Sequence, residues 1–209
     1  MPQPPTLKIK EIFASIQGEG LRWGEPTIFI RLAGCNLKCS FCDTKSAWKG
    51  GLLLPIDEIK QKVQELYQQW PSNWVCLTGG EPLAQDLKQL VWHLKKSNFN
   101  LQVETNATLF QDIAVDWWTI SPKPPDYNFQ PQFLNLAREV KLVVSQELTL
   151  EVIKHLRSSF PLTTPLILQP QSNLKWSRQK AWRLYQSSIQ SGLSPLRLGL
   201  QLHKIYKLP

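Results

Sequence analysis

No stretch of the 209-residue chain approaches the ~18 to 20 consecutive apolar residues that a membrane-spanning helix requires. Residues 1–10 (MPQPPTLKIK) lack the apolar core of a signal peptide, so a cytoplasmic protein is the expectation. Cysteine is scarce at four residues, and three of them fall within eight positions, Cys35 to Cys42, a crowding that in a cytosolic chain points to metal ligation rather than to a disulfide framework. A chain of this length buries roughly 70% of the surface it would expose unfolded and forms a full core unaided. Internal repeats and long low-complexity linkers are also missing, which leaves one domain over 1–209 with about ten N-terminal residues as an extension. Acidic residues are the minority, 16 against 24 Lys plus Arg for a net charge of +8. The basic residues are spread thinly, without the local cluster and interleaved aromatics of a nucleic-acid face, so no direct nucleic-acid partner is expected.

Two hydrophobic periods alternate along the chain. Residues 27–32 (TIFIRL) read as a buried strand, and Ile56, Ile59, Val63, Leu66 and Trp70 follow helical steps between Pro55 and Pro71. Residues 74–78 (WVCLT) form a second strand ending at Gly79-Gly80-Glu81-Pro82, and Leu83, Leu87, Leu90, Val91 and Leu94 a second helix. Strands follow at 101–105, 117–120, 139–144 and 166–169, with helices at about 149–158 and 177–190. In the last segment Leu196, Leu198, Leu200 and Leu202 alternate with Arg197, Gly199, Gln201 and His203, the period of a strand. Strands alternating with helices imply an α/β fold with a mostly parallel sheet, a barrel or partial barrel, whose chemistry sits at the carboxyl ends of the strands. Gly34-Cys35, Gly79-Gly80-Glu81, Ser121-Pro122-Lys123 and Gln169-Pro170 all fall at such ends.

Cys35, Cys39 and Cys42 stand as Cys-x3-Cys-x2-Cys in AGCNLKCSFCDT, close enough for three sulfurs to meet at one centre. A structural zinc wants a fourth Cys or His, and Cys76 lies inside an apolar strand where a free cysteine is a small hydrophobe. A cubane iron-sulfur cluster held by three cysteines keeps one iron open for a non-protein ligand. Arg31, inside the otherwise apolar TIFIRL, needs an anion: a ligand carboxylate or an internal salt bridge.

The Cys35-x3-Cys39-x2-Cys42 spacing with Phe41 before the last cysteine resembles the signature of the radical S-adenosylmethionine (SAM) superfamily. Further motifs resemble one family within it, the 7-carboxy-7-deazaguanine synthases of queuosine precursor synthesis. They are EIFASIQGEG (11–20), IFIRLAGCNLKCSFCDT (28–44), LTGGEPL (77–83), VETNAT (103–108), SPK (121–123) and LHKIYKLP (202–209). The resemblance implies a shortened (β/α) TIM-type barrel of about six mostly parallel strands, in homodimers. It implies a [4Fe-4S] cluster on Cys35, Cys39 and Cys42 whose open iron is chelated by SAM. Phe41, Cys42, Asp43, Gly80, Glu81, Ser121, Pro122, Lys123, Gln169, Pro170, Gln171 and Ser172 match SAM-contacting positions. A glycine pair after a strand suits close backbone approach to the methionine amino group.

The implied substrate is 6-carboxy-5,6,7,8-tetrahydropterin, met by Ile16, Gln17, Gly18, Glu19, Arg31, Thr78, His203 and Pro209, the last through its carboxylate. Thr44 matches a magnesium-binding threonine, its hydroxyl joining substrate oxygens around a hard cation. The implied reaction is a lyase-type radical ring contraction: reductive cleavage of SAM, hydrogen abstraction at C6, rearrangement to 7-carboxy-7-deazaguanine and loss of ammonia. No protein nucleophile is required, and Glu19, Glu81, Glu104 and His203 are the candidates for moving protons. Flavodoxin or ferredoxin is the implied electron donor, and a basic chain suits an acidic partner. Ala107 in VETNAT stands where the family commonly has Gly, so that strand end is assigned no contact. Another radical SAM enzyme, such as a glycyl-radical activase, would share the cysteines and Gly79 to Glu81 but has no reason for Arg31, Thr44 and Pro209. A zinc-binding nucleic-acid module would explain the cysteines and the charge alone.

Overall fold

The structure, a computed structural model, describes residues 5–209. TIFIRL forms β2 (Pro26–Leu32), buried everywhere but at Pro26 and Arg31, as a strand covered on both faces must be. Before it runs β1 (Thr6–Ile16), which pairs antiparallel with β2 on one side and with β3 (Leu52–Pro55) on the other. The parallel part of the sheet continues through β4 (Trp74–Gly79), β5 (Asn100–Thr105), β6 (Trp117–Ile120), β7 (Ala137–Val144), β8 (Leu166–Pro170) and β9 (Leu196–Leu198). The strand order is β3-β1-β2-β4-β5-β6-β7-β8-β9, so β3 and β9 are the edges and the barrel is partial.

Helices cover the sheet through their apolar stripes. In α1 (Ile56–Gln69) these are Ile56, Ile59 and Val63, and Asp57 and Glu58 in the first turn favour the positive end of the helix dipole. In α2 (Lys88–Lys96) they are Leu90, Val91 and Leu94. A single turn, α3 (Phe133–Leu136), buries Phe133 against Trp118 and Phe110. Ile153 and Leu156 face the core from α4 (Leu150–Ser159), whose first turn is capped by Thr149. The longest helix, α5 (Lys175–Gln190), packs on β7, β8 and β9, and the short α6 (Leu202–Tyr206) ends the fold. Among the described residues no helix is long and apolar enough to cross a membrane.

Three expectations are corrected. The N-terminal segment is not an extension: within β1, Leu7 and Ile9 are buried in the main core, while residues 1–4 lie outside the described part. Leu83 and Leu87 do not belong to the second helix. The Glu81 carboxylate accepts from Leu83 N, and Gln111 donates to the carbonyls of Leu83 and Gln85 while accepting from Leu87 N, which holds 82–87 in a tight turn and loop. The final strand stops at Leu198 rather than reaching His203. Leu198 and Leu200 are exposed and the buried positions are Leu196, Gly199 and Gln201, so the leucine alternation does not track the core. Leu202 N donates to Gly18 O at 2.8 Å, and the chain turns there across the sheet as α6.

Ile9→Ala should cost about 2–5 kcal/mol, the range for an emptied core site. The check is the denaturant midpoint; an unchanged midpoint would return the segment to the status of an appendage.

Candidate active site

A cleft opens at the carboxyl ends of the parallel strands, where a (β/α) barrel places its chemistry. It holds about 1360 Å³ of unfilled space, its open mouth included.

One wall is the cysteine loop. Cys35, Cys39 and Cys42 are half-buried and all border the cleft. The loop is clamped at its root: Gly34 N donates to Ala47 O, Gly80 N to Leu32 O and Glu81 N to Gly34 O, at 2.8, 3.0 and 2.8 Å. A methyl group on Gly80 would overlap the Gly34 carbonyl, and one on Gly79 would overlap the backbone of Leu32. Asn36, directly after the first cysteine, bonds to Asn106 and Thr108 beyond β5. Burial pushes the Cys35 and Cys39 thiols up, and neighbouring thiols add to this. Iron would reverse that, since a coordinating thiol is deprotonated outright. No three His, Cys, Asp or Glu side chains among the described residues stand close enough to share a single ion. A cubane does not ask for that convergence, because each cysteine holds a different iron, and the three-cysteine wall fits such a group.

The floor and the opposite wall are polar. Gln17 donates to Gln102 and Glu104, and Glu19 N donates back to Gln17 Oε1, which fixes the Gln17 amide. Lys141 Nζ donates to Glu19 Oε2 and, at 3.2 Å, to Glu104 Oε2. Burial would raise the Glu19 carboxyl's pKa, but Lys141 outweighs it and holds the group below the ordinary glutamate value. Burial would likewise lower that of Lys141, and Glu104 and Glu19 overcome it to hold the ammonium above its usual range. Lys123, half-buried, is brought down to about 8 by desolvation and by repulsion from Lys141, and donates to Ser121 Oγ and O. Burial depresses the His203 imidazole, so its neutral form is favoured at neutral pH. Burial would raise the Asp43 carboxyl's pKa, but Lys204 and Gln201 override this and set it at about 2.

Nearly all the residues singled out from sequence border this one cleft. Ile16, Gln17, Gly18, Glu19, Arg31, Thr78, His203 and Pro209 line it, as do Phe41, Asp43, Thr44, Gly80, Ser121, Lys123 and residues 169–172. Gly18 lies so close to His203 that a methyl would overlap the imidazole. Arg31 has the internal partner weighed against a ligand: its Nε donates to Glu11 at 2.6 Å while the side chain still edges the cleft. Two residues are not brought in. Pro122 is absent from the lining, and the Glu81 carboxylate turns inward, accepting from Thr105 Oγ1, Asn106 N and Leu83 N. With its acceptors spent on two strand ends, Glu81 is a buried anchor, its pKa raised by burial despite those donors.

Sequence reasoning missed Lys141 and Gln201. A lysine inside EVKLVV carries the same signal as Arg31 inside TIFIRL, a charge in an apolar strand that must find a partner. Gln201 was hidden in the supposed polar face of the last strand.

Parallel strands with a cysteine-bearing loop at their carboxyl ends define the class: the family profile described as Radical SAM superfamily matches residues 29–176. A 7-carboxy-7-deazaguanine synthase of Methanospirillum hungatei is 36% identical, covering 99% of this chain and 88% of that protein. One of Aquifex aeolicus is 34% identical over 97% of this chain and 94% of its own length. The crystal structure of QueE from Escherichia coli superposes with a TM-score of 0.78 at 28% identity, covering 95% of each chain. The chain belongs to the 7-carboxy-7-deazaguanine synthase family of radical SAM enzymes, for which a [4Fe-4S] cluster and SAM are the implied cofactors.

Lys141→Met should destabilise the fold by about 3 kcal/mol at neutral pH, because the Glu19 and Glu104 carboxylates would lose their common ammonium partner in a mostly buried site. In the parent, Glu19's contribution is present above its unfolded pKa and lost as pH falls through its lowered folded value. Without Lys141 the Glu19 carboxylate accepts a proton more readily, so the gap to the parent should narrow below about pH 5. Denaturation at pH 7.5 and 4.5 measures it; a gap independent of pH would contradict the pairing.

Proposed function

We propose that the chain converts 6-carboxy-5,6,7,8-tetrahydropterin to 7-carboxy-7-deazaguanine by radical ring contraction with loss of ammonia. The observation that supports this reading is the meeting, in one cleft, of the three-cysteine loop with a polar wall that carries Gln17, Glu19, Arg31, Glu104 and Lys141. The substrate's atoms equal those of product plus ammonia, so the conversion needs no net oxidant. When bound, the cluster and SAM supply a one-electron start to the radical chemistry.

The protein's share is binding, orientation and electrostatics. Cys35, Cys39 and Cys42 hold the cluster; Phe41, Asp43, Gly80, Ser121, Lys123 and residues 169–172 hold SAM. Gly80 does so through its backbone. Ile16, Gln17, Gly18, Glu19, Thr78, His203 and Pro209 surround the pterin, with Arg31 on its carboxylate. Thr44 Oγ1, which donates to Asp43 Oδ1 at 3.2 Å, is the hydroxyl offered to magnesium. Glu19 and Glu104 present carboxylates to amino and ring N–H groups, and Lys141 keeps Glu19 ionised as an acceptor. His203, favoured in its neutral form, is available to take a proton as ammonia departs. An acidic flavodoxin or ferredoxin supplies the electron, complementing the chain's net charge of +8. The whole 1–209 chain acts as one domain, assembled as a homodimer in the cytoplasm.

Anaerobic incubation of the cluster-reconstituted protein with the pterin, SAM, magnesium and a reductant tests this, read by mass spectrometry of the pterin product. A product lighter by one ammonia is expected. SAM cleavage with an untouched pterin would remove the substrate assignment, and no reaction of either with a full cluster would remove the reading altogether.

A further inference from the structure

Of the eight buried polar side-chain atoms without a partner among the described residues, three belong to two glutamines that line the cleft: Gln169 Nε2, Gln169 Oε1 and Gln201 Oε1. Gln169 lies in a segment already given to SAM. Gln201, which follows the last strand and is 5% exposed, has no assigned role.

The orientation of its amide is determined by its neighbours. Gln201 Nε2 donates to Glu19 Oε1 at 2.7 Å and to Asp43 Oδ2 at 3.2 Å. Both carboxylates are already bound to ammonium groups, Glu19 to Lys141 and Asp43 to Lys204 at 2.9 Å, so they act as acceptors only. Flipping the amide would set its oxygen against two anionic oxygens. Oε1 is therefore held as an acceptor, buried and unmatched, a state that is costly until a donor arrives. Glu19, Asp43 and Gln201 belong to three separate segments that border the same cleft, and none of the described residues donates to Gln201 Oε1.

We propose that Gln201 reads a ligand N–H: its Oε1 accepts a hydrogen bond from the molecule in the cleft, while its Nε2 ties α6 to the loops carrying Glu19 and Asp43. The proposal rests on the function given above for this cleft. Both implied ligands carry such donors, the pterin in its ring and amino N–H groups, SAM in its amino groups. Glu19 is on the pterin side and Asp43 on the SAM side, so the shared chemistry is the N–H and the experiment separates the sources.

Gln201→Lys keeps donors toward Glu19 and Asp43 and removes the acceptor; Gln201→Met removes both. Anaerobic calorimetry of the cluster-loaded protein would titrate SAM and 6-carboxytetrahydropterin separately, with carboxypeptidase resistance reporting whether α6 stays seated. Q201K should keep that resistance and lose about tenfold or more in affinity for one ligand. The ligand that loses affinity is the source of the donor. A double-mutant cycle completes the test whether or not α6 stays seated in a variant, using 6-N-methyladenine SAM and N-methylated pterins. The analogue of the correct ligand should weaken the parent and add nothing in Q201K or Q201M. Parental affinity for both ligands in Q201K, or analogue penalties as large in the variants as in the parent, would overturn the proposal and leave Gln201 a clamp. Failure of the function given above would show differently, as a parent protein that does not bind the pterin at all.

Discussion

At the carboxyl ends of β2 and β4 two backbones lie too close for any side chain between them. Gly79, at a φ of 130° that other residues rarely adopt, and Gly80 bring the end of β4 against Leu32 to Gly34, where the cysteine loop begins. Hydrogen bonds from Gly80 N and Glu81 N seal the contact, and the Glu81 carboxylate extends it to the end of β5 through Thr105 and Asn106. Asn106 in turn holds Asn36 beside the first cysteine. The position of the cysteines is thus inherited from strand ends, which are rigid, through a short series of backbone contacts. A site on a loop gains its geometry from the scaffold beneath it in this way.

The inside of the barrel carries a second constraint, balance of charge. Arg22 donates to Gln102, Gln102 to Thr119, and Thr119 to Glu139, so the groups beneath the cleft are satisfied in sequence. Above them Lys141 neutralises Glu19 and Glu104, and Lys204 with Gln201 holds Asp43. A half-satisfied network would be worse than an apolar interior, and the cleft keeps its unmatched atoms where ligands are expected. The same charges tie down the segment bearing His203 and Pro209, through Asp43 and Glu19.

Much of this was legible in the sequence, for reasons particular residues make plain. Parallel strands buried on both faces read as short apolar runs, and helices with one apolar stripe read by their 3.6-residue period, so β2, β4 to β8, α1, α4 and α5 were found close to their limits. The N-terminal β1 escaped because its outward residues, Lys8, Lys10 and Glu11, resemble a solvated tail, and only its pairing with β2 and β3 buries Leu7 and Ile9. The leucine alternation after residue 195 misled because two of those leucines face solvent. Motif resemblance located the cleft's walls, yet it could not show that Glu81 spends its carboxylate inward or that Lys141 and Gln201 bridge segments distant in sequence. Those facts depend on three-dimensional partners. Ala107, noted as a departure from glycine, adopts a φ of 66°, a left-handed conformation in which glycine would be unstrained.

The claim that backbone contact at the glycine pair places the cysteine loop is tested most directly by Gly80→Ala. A methyl there must displace Gly34, so the variant should keep the parent's far-ultraviolet circular dichroism while iron and acid-labile sulfide per chain, after reconstitution, fall well below the parent's. A folded variant that takes up a full cluster and binds SAM as the parent does would contradict the account.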